Sequence, residues 1–443
     1  MDIANLAKQN PWWRGKEKIE EDYDIQKWNS AKRKWIPKFL DKIEIKPFAL
    51  HILLGPRQAG KTTAAKLLIK KLLTERKEQS LFYFNCEELA GYKELGDVLE
   101  AYLSFKEANE IKTSIIILDE ITSPREWYRA VKFLIDSGRL RNDVLLLTGS
   151  TSMAVKREVE LFPGRRGRGK DFVLFPLSFR DFIEVVNPQL HSKISAIKNL
   201  EDIERVGLKN SIFIKELNAE FSKYMKFGGF PLSIKSLDSN KEDVKQVYLS
   251  WIKNAILKAG RSDLIAKQIL KSVLEKMPSD MSWEAISKEI EIKSPKTVSA
   301  YIDLLKSMYA VFILYNIDVS GRKIKFGKNK KIHASDPLLL EIFEDWCGSA
   351  VKNRDSVLAE SIAADHLSRM FPEKTFFWRN GSEIDVIVME KKRLYGFEVK
   401  WGEKSSTKAP QQVNPFILLT KDGFSKTPLK IPLAVFLASV EIN

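Results

Sequence analysis

Two groups of residues in this 443-residue chain have the types and spacing for chemistry on phosphates. The first is Gly55, Pro56, Arg57, Gln58, Ala59, Gly60, Lys61, Thr62 and Thr63. It lies between an apolar run, Phe48 to Leu54, and a helical pattern with Ala64, Ala65, Leu67, Leu68, Leu72 and Leu73 apolar. A GxxxxGK[ST] stretch set between strand and helix is a phosphate-binding loop. Small residues let the backbone wrap a phosphate chain, and its N–H groups and the helix N-terminus supply partial positive charge. Lys61 is expected to reach the β and γ phosphates. The Thr62 hydroxyl is expected to ligate Mg²⁺, so ATP and Mg²⁺ are the expected cofactors.

A second piece must hold the metal and prepare water. "SIIILDEI" offers it, with Ile115 to Leu118 apolar and Asp119 and Glu120 at the end of the run, 119 − 61 = 58 residues past Lys61. Asp119 is expected in the Mg²⁺ shell and Glu120 as the residue that polarises the attacking water. The strand Val144–Leu147 ends at Thr148 and Ser150, either of which could sense the γ-phosphate or be ordinary strand-end polarity. In "FPGRRGRGKDF", Arg165, with Arg166 and Arg168 beside it, has three readings. It could reach a neighbouring subunit's phosphate, which implies a homo-oligomer; it could touch nucleic acid; or it could belong to a solvated loop.

The second group is in "EIDVIVMEKKRLYGFEVK", residues 383–400. "IDVIV" and "LYGFEV" read as strands joined by a charged turn. Glu398 and Lys400 then share a face, and Asp385 meets them across the hairpin. Two carboxylates and a lysine inside apolar strands need a reason, because a buried charge is costly without a partner or a metal. Asp385 and Glu398 are expected Mg²⁺ ligands, and Lys400 would position or deprotonate a water. Glu360, in the upstream helix "DSVLAESIAADHLSRMF", would complete the cluster. The other reading is a salt-bridge cluster with no metal.

Around these groups the elements are legible. Strands at 48–54, 81–84, 115–118, 144–147 and 172–175 alternate with helices, which implies a mainly parallel sheet. From about Leu177 to Leu274 the pattern is helical, as a lid over a nucleotide would be, with "KFGGFPL" a turn between helices. "MSWEAISKEIEIKSPKTVSAYIDLLKSMYAVFILYNI" reads as a winged helix: helix, turn, helix, strand. Lys296, Thr297, Ser299 and Tyr301 would face nucleic acid from its second helix. In the wing position stands "GRKIKFGKNKK", residues 321–331, with six basic residues of eleven and no acid. Such a wing can neutralise phosphates without reading sequence, which makes DNA the expected partner. A module that only spaces its neighbours is the alternative.

Net charge of +15 supports an anionic partner. Two cysteines make no disulfide framework, and no Cys/His spacing resembles a zinc site. There is no apolar signal core at the N-terminus and no apolar run long enough to span a bilayer, so a cytoplasmic protein with no membrane partner is expected. The expected fold class is multidomain α/β. An N-terminal extension (1–45) precedes a P-loop ATPase core (46–178), a helical lid (179–275), a winged helix (276–350) and an α/β nuclease-like domain (351–443).

The chain also resembles a family of AAA-type ATPases, common in archaea and also found in bacteria, that carry a C-terminal PD-(D/E)XK nuclease-like domain of unknown function. The resemblance covers nearly the whole chain. It rests on "NPWW", "GPRQAGKTT", "ILDEI", "TGSTS", "PGRRG", "PLSFRDF", "FGGFP", the "SPKTVSAYIDLL" helix and "EIDVIV…FEVK". It implies ATP binding and hydrolysis, suggests DNA as a partner, and places the family's nuclease-like triad on Asp385, Glu398 and Lys400. Ile384 stands where the motif's name has proline. Three functions stay open: an ATP-driven DNA-handling enzyme with a metal-dependent nuclease, a nucleotide-switched DNA-binding protein whose nuclease-like domain only grips, and a signalling ATPase that holds protein.

Overall fold

The computed structural model describes residues 2–150, 162, 164–238, 240–402 and 409–442. Pro163 of "PGRRG" and Thr151 and Ser152 of "TGSTS" lie outside the described residues. Contacts divide the chain into two compact units, Met1–Phe175 and Pro176–Asn443.

In the first unit, β1 (Ala49–Leu54), β2 (Leu81–Asn85), β3 (Ile115–Asp119), β4 (Val144–Gly149) and β5 (Asp171–Val173) form one sheet in the order β2-β3-β4-β1-β5. Every pairing is parallel. β1, β3 and β4 are buried along their full length, as continuous apolar runs in a parallel sheet should be. The helix Lys61–Leu72 follows β1 directly and Tyr92–Ala108 follows β2.

β2 is an edge strand, and an open edge exposes unpaired N–H and C=O groups. The N-terminal segment covers it with side chains instead of a further strand. Asn10 Oδ1 accepts from Tyr83 N at 2.7 Å, and Asn10 Nδ2 donates to Tyr83 O at 2.9 Å. Gln9 Oε1 accepts from Asn85 N at 2.8 Å, and the Trp12 and Trp13 indoles both donate to Leu81 O at 2.9 Å. Trp13 stacks on Phe105 with ring centroids 4.8 Å apart. Residues 1–45, expected as an extension, are built into the first unit.

The second unit opens with helices from Phe179–Val186 to Asp263–Lys276. These helices anchor on the C-terminal part of the chain. Arg180 donates to Ala438 O at 2.6 Å, Phe179 N to His366 Nε2 at 2.9 Å, and Asn210 to the Ser439 hydroxyl at 2.8 Å. Because a backbone N–H can only donate, His366 Nε2 accepts and Nδ1 carries the proton, which it gives to Ile362 O at 2.9 Å. "FGGFP" is a turn. Gly228 has φ +70°, and a Cβ there would lie 1.9 Å from an Asp336 carboxylate oxygen, which only glycine avoids.

Two helices, Trp283–Glu289 and Pro295–Ser307, precede an antiparallel pair of β6 (Val311–Tyr315) and β9 (Lys330–Ala334), with the small β7 (Ile317–Asp318) and β8 (Lys323–Ile324) between them. Val298, Ile302, Leu305 and Met308 are buried, as their spacing predicts. Two expectations need correction. Tyr301 is buried, and its hydroxyl accepts from Ser262 N at 3.0 Å, so it does not face a partner. The expected basic wing 321–331 is shorter, because Lys330 and Lys331 belong to β9 and are buried. The exposed cations of this segment are Arg322, Lys323, Lys325 and Lys328.

The C-terminal sheet runs β10-β11-β12-β13-β15-β14, from β10 (Thr375–Asn380), β11 (Ser382–Glu390), β12 (Arg393–Lys400), β13 (Val413–Thr420), β14 (Ser425–Lys426) and β15 (Leu429–Pro432). β11 and β12 form the antiparallel hairpin read from sequence, and β12 continues in parallel with β13. The helix Arg354–Met370 packs on this sheet and carries Glu360.

Asn10→Ala would strip both partners from the Tyr83 backbone while leaving it buried. Each orphaned group costs about 1–3 kcal/mol. Denaturant unfolding should show a loss of about 2–6 kcal/mol for the two groups; an unchanged midpoint would mean that water replaces the amide.

Candidate functional site

The phosphate loop joins β1 to the helix beginning at Lys61. Gln58 and Gly60 take left-handed backbone, φ +62° and +99°, which turns the chain tightly around a small concavity. A Cβ on Gly55 would lie 2.3 Å from Leu174 O, so the neighbouring chain requires glycine there. Ala59 is buried, and Arg57 lies 3.8 Å from Glu87. Lys61 is 5% exposed and folds onto its own loop, donating to Gly55 O at 3.1 Å and Pro56 O at 3.0 Å. Burial lowers its pKa, against the pull of Glu120 and Asp119.

Asp119 is fully buried at the end of β3 and receives three hydroxyls. Thr62 donates to Oδ2 at 2.6 Å, Tyr83 donates to Oδ2 at 2.9 Å, and Thr148 donates to Oδ1. Glu120 sits at φ +49°, its N–H donates to Thr148 Oγ1 at 3.0 Å, and its carboxylate lies 3.8 Å from the Lys61 ammonium. Lys61, Thr62, Asp119, Glu120 and Thr148 therefore converge, as expected. A carboxylate next to a threonine hydroxyl is a hard-oxygen donor set that suits Mg²⁺. Arg165 is elsewhere in this unit, on Asp136 at 2.5 Å. Tyr83 was not expected. Its signal is its place in the strand beside β3, where Asn85 pairs with Asp119, so that Tyr83 falls on the same face two residues earlier.

In the second unit, Glu360, Asp385 and Glu398 also converge. Val386 pairs with Phe397, and one residue beyond this pair stand Asp385 and Glu398. Asp385 N donates to Glu398 Oε2 at 3.3 Å, and Val399 N donates to Asp385 Oδ2 at 2.9 Å. Lys400 donates to Glu398 Oε1 at 2.6 Å. A further cation stands in the centre. The Lys331 ammonium, from β9, reaches Glu360 Oε1 at 2.8 Å, Asp385 Oδ1 at 3.1 Å, and Glu383. It is 0% exposed. An ammonium has three N–H donors, and three carboxylates surround this one.

A divalent ion placed here would stand beside a second cation. At about 4 Å and an effective dielectric near 20, an ammonium and a divalent ion repel by roughly 8 kcal/mol, twice the unit-charge figure. Among the described residues, no group of three or more acidic, histidine or cysteine side chains is arranged to hold a metal. The expectation of Asp385 and Glu398 as Mg²⁺ ligands thus meets a lysine that the sequence reading placed on a DNA-contacting basic wing. Glu383 had a readable signal, two residues before Asp385 on one strand face. Lys331 had none nearby.

Burial and the Asp385 charge push the Glu360 carboxyl up to about 8, although Lys331 works the other way. Burial alone would lower Lys331, but attraction from Glu360, Asp385 and Glu383 outweighs it and holds the ammonium charged. A carboxyl raised on folding stabilises fully below its unfolded value, and that stability is lost as pH climbs through the folded value. Stability should therefore fall as pH rises above the ordinary carboxyl range and through the raised folded value. Glu360→Gln should remove that slope in urea unfolding; a slope equal to the wild type's would refute the assignment.

Residues 48–183 match the family model "AAA domain". Residues 356–426 match "Domain of unknown function (DUF4143)", and 218–345 match "Domain of unknown function (DUF8612)". The uncharacterized protein MJ1544 of Methanocaldococcus jannaschii is 25% identical over 370 residues, covering 80% of this chain and 75% of that protein. Among solved structures, the Aeropyrum pernix ORC2 protein in ADPNP-ADP complexes aligns with TM-score 0.37 and 14% identity, covering 68% of this chain and 88% of that one. The Aeropyrum pernix ORC1 protein in complex with DNA aligns with TM-score 0.33 and 12% identity, covering 76% and 96%. Scores of this size do not establish a shared overall fold. Among the described residues, no helix is long and apolar enough to cross a membrane. The family match falls on the residues that build the phosphate loop and the Asp119 centre, and it supports an AAA-type nucleotide-binding domain over residues 48–183.

Proposed function

We propose that this protein is a Mg²⁺-dependent ATPase that acts on, or is switched by, DNA. The observation that carries the first part is the convergence of Thr62, Tyr83 and Thr148 on the buried Asp119 carboxylate, with Glu120 and Lys61 3.8 Å apart beside it. The loop N–H groups would hold the phosphate chain. Lys61 would exchange its loop carbonyls for β- and γ-phosphate oxygens. Mg²⁺, held by Thr62 and Asp119, would neutralise charge on the β and γ phosphates. Glu120 would take a water's hydrogen bond and orient it, and Thr148 would keep Asp119 and the Glu120 backbone in register through the two bonds it makes. Glu120→Gln keeps the size and removes the charge. ATP should still bind while turnover falls by about 10²-fold or more, the scale expected for loss of a general base. Hydrolysis at the wild-type rate would show that another group prepares the water.

The DNA part rests on charge. Net charge is +15, and Arg322, Lys323, Lys325 and Lys328 are exposed together between β7 and β9, with Asp318 paired to Lys323 across the β7–β8 ribbon and 3.9 Å from Lys325. Exposed cations next to a helix pair can meet phosphates in any sequence. The buried free cysteines Cys86 and Cys347 fit a cytoplasmic setting. Replacing all four loop cations with alanine should weaken DNA binding uniformly across sequences. It should also reduce the slope of log affinity against log salt by up to ~3–4, at about 0.9 per phosphate contact. An unchanged slope would move the partner from DNA to protein.

A further inference from the structure

The acidic centre of the second unit holds its own cation, and nothing in the chemistry of the nucleotide site explains why. Four carboxylates, Glu360, Glu383, Asp385 and Glu398, gather at the start of the β11–β12 hairpin, and three of them point an oxygen at one ammonium. The fourth, Glu398, is held by Lys400 at 2.6 Å and by the Asp385 backbone N–H at 3.3 Å. The remaining Asp385 oxygen accepts from Val399 N. Both oxygens of Asp385 and both of Glu398 thus accept from N–H donors of this chain.

The cation is also held from behind. Lys331 lies mid-strand in β9, paired with Leu314 of β6, and its ammonium lies 5.9 Å from the Phe377 ring centroid. Its neighbours in the strand, Ile332 and His333, are buried, and His333 Nδ1 lies 3.0 Å from the Ser361 hydroxyl, on the residue after Glu360. Lys331 is therefore set by a strand rather than by a loop that could swing away, and its burial leaves no water to replace the carboxylates.

We propose that Lys331 is the resident cation of this centre, standing where a nuclease of this motif would bind a divalent metal. While Lys331 is in place, the Asp385–Glu398 centre binds no divalent ion and cuts no phosphodiester. The unit keeps the motif's carboxylates because they satisfy Lys331 and Lys400. This inference is independent of the ATPase reading, which concerns residues of the other unit.

The test uses the full chain without nucleotide and Mn²⁺ alone as the probe, with bound ions counted by electron paramagnetic resonance. Wild type and Asp385→Asn should bind the same number of ions. Lys331→Ala should bind one more, at least 10-fold tighter than any Asp385-dependent binding in wild type, and Asp385→Asn in the double variant should remove it. Wild type losing an ion on Asp385→Asn would overturn the proposal. So would a folded Lys331→Ala that gains none. If Lys331→Ala does not fold, the wild-type and Asp385→Asn comparison decides alone: equal counts support the resident cation, and a lost ion refutes it. Plasmid DNA incubated with the wild type and Mn²⁺ should stay intact, and nicking abolished by Asp385→Asn would also overturn it.

Discussion

A carboxylate taken out of water must be met by donors, and both units are organised around that demand. In the first, Asp119 is met by three neutral hydroxyls, from Thr62, Tyr83 and Thr148. Hydroxyls stabilise the charge without cancelling it. A hydroxyl also has lone pairs, so Thr62 can turn from donor to ligand when a cation arrives. In the second, the carboxylates are met by ammonium groups, which cancel charge and have no lone pair to offer. The same residue type, buried to a similar degree, is thus left open to a metal in one place and closed in the other. The difference lies in the donors, not in the acids.

The nucleotide site depends on more than its motifs. Tyr83, whose hydroxyl reaches Asp119, sits in the edge strand, and that edge is closed by Gln9, Asn10, Trp12 and Trp13. The Lys66 ammonium stands 3.4 Å from the centroid of the Tyr83 ring and pairs with Asp22 at 2.9 Å. Burial lowers Lys66, while Asp22, Asp24 and Asp119 favour its charge. The N-terminal segment is therefore tied to the strand that reaches Asp119 by a cation–π contact and by backbone capping, which explains why aromatic and amide residues stand so close together in "KQNPWW".

The second unit follows the same logic in its interior. Arg369 is 7% exposed and donates to Asp365 at 2.9 Å, to Pro176 O at 2.8 Å and to Ser335 O at 3.1 Å, joining three distant stretches of chain. Asp336 accepts from Gly229 N and Leu338 N, and burial still raises it to about 6. These bonds tie Pro176 and the turn at Gly229 to the stretches around Asp336 and Arg369 within the second unit.

The sequence by itself determined whatever depends on near neighbours. The phosphate loop is read in nine consecutive residues, because a strand, a glycine turn and a helix start are local demands of backbone geometry. β1, β3 and β4 are legible because parallel strands buried on both faces must be apolar throughout. The β11–β12 hairpin is legible because its side chains alternate. Tertiary structure decided which charges meet. Lys331 finds Glu360 and Asp385 at sequence separations of 29 and 54, and Asn10 finds Tyr83 at 73. Composition made Lys331 part of a basic run, and a basic run reads as an exposed surface for phosphates. Only the pairing of β9 with β6 turns that one side chain inward, where a single ammonium settles how the acids behind it are satisfied.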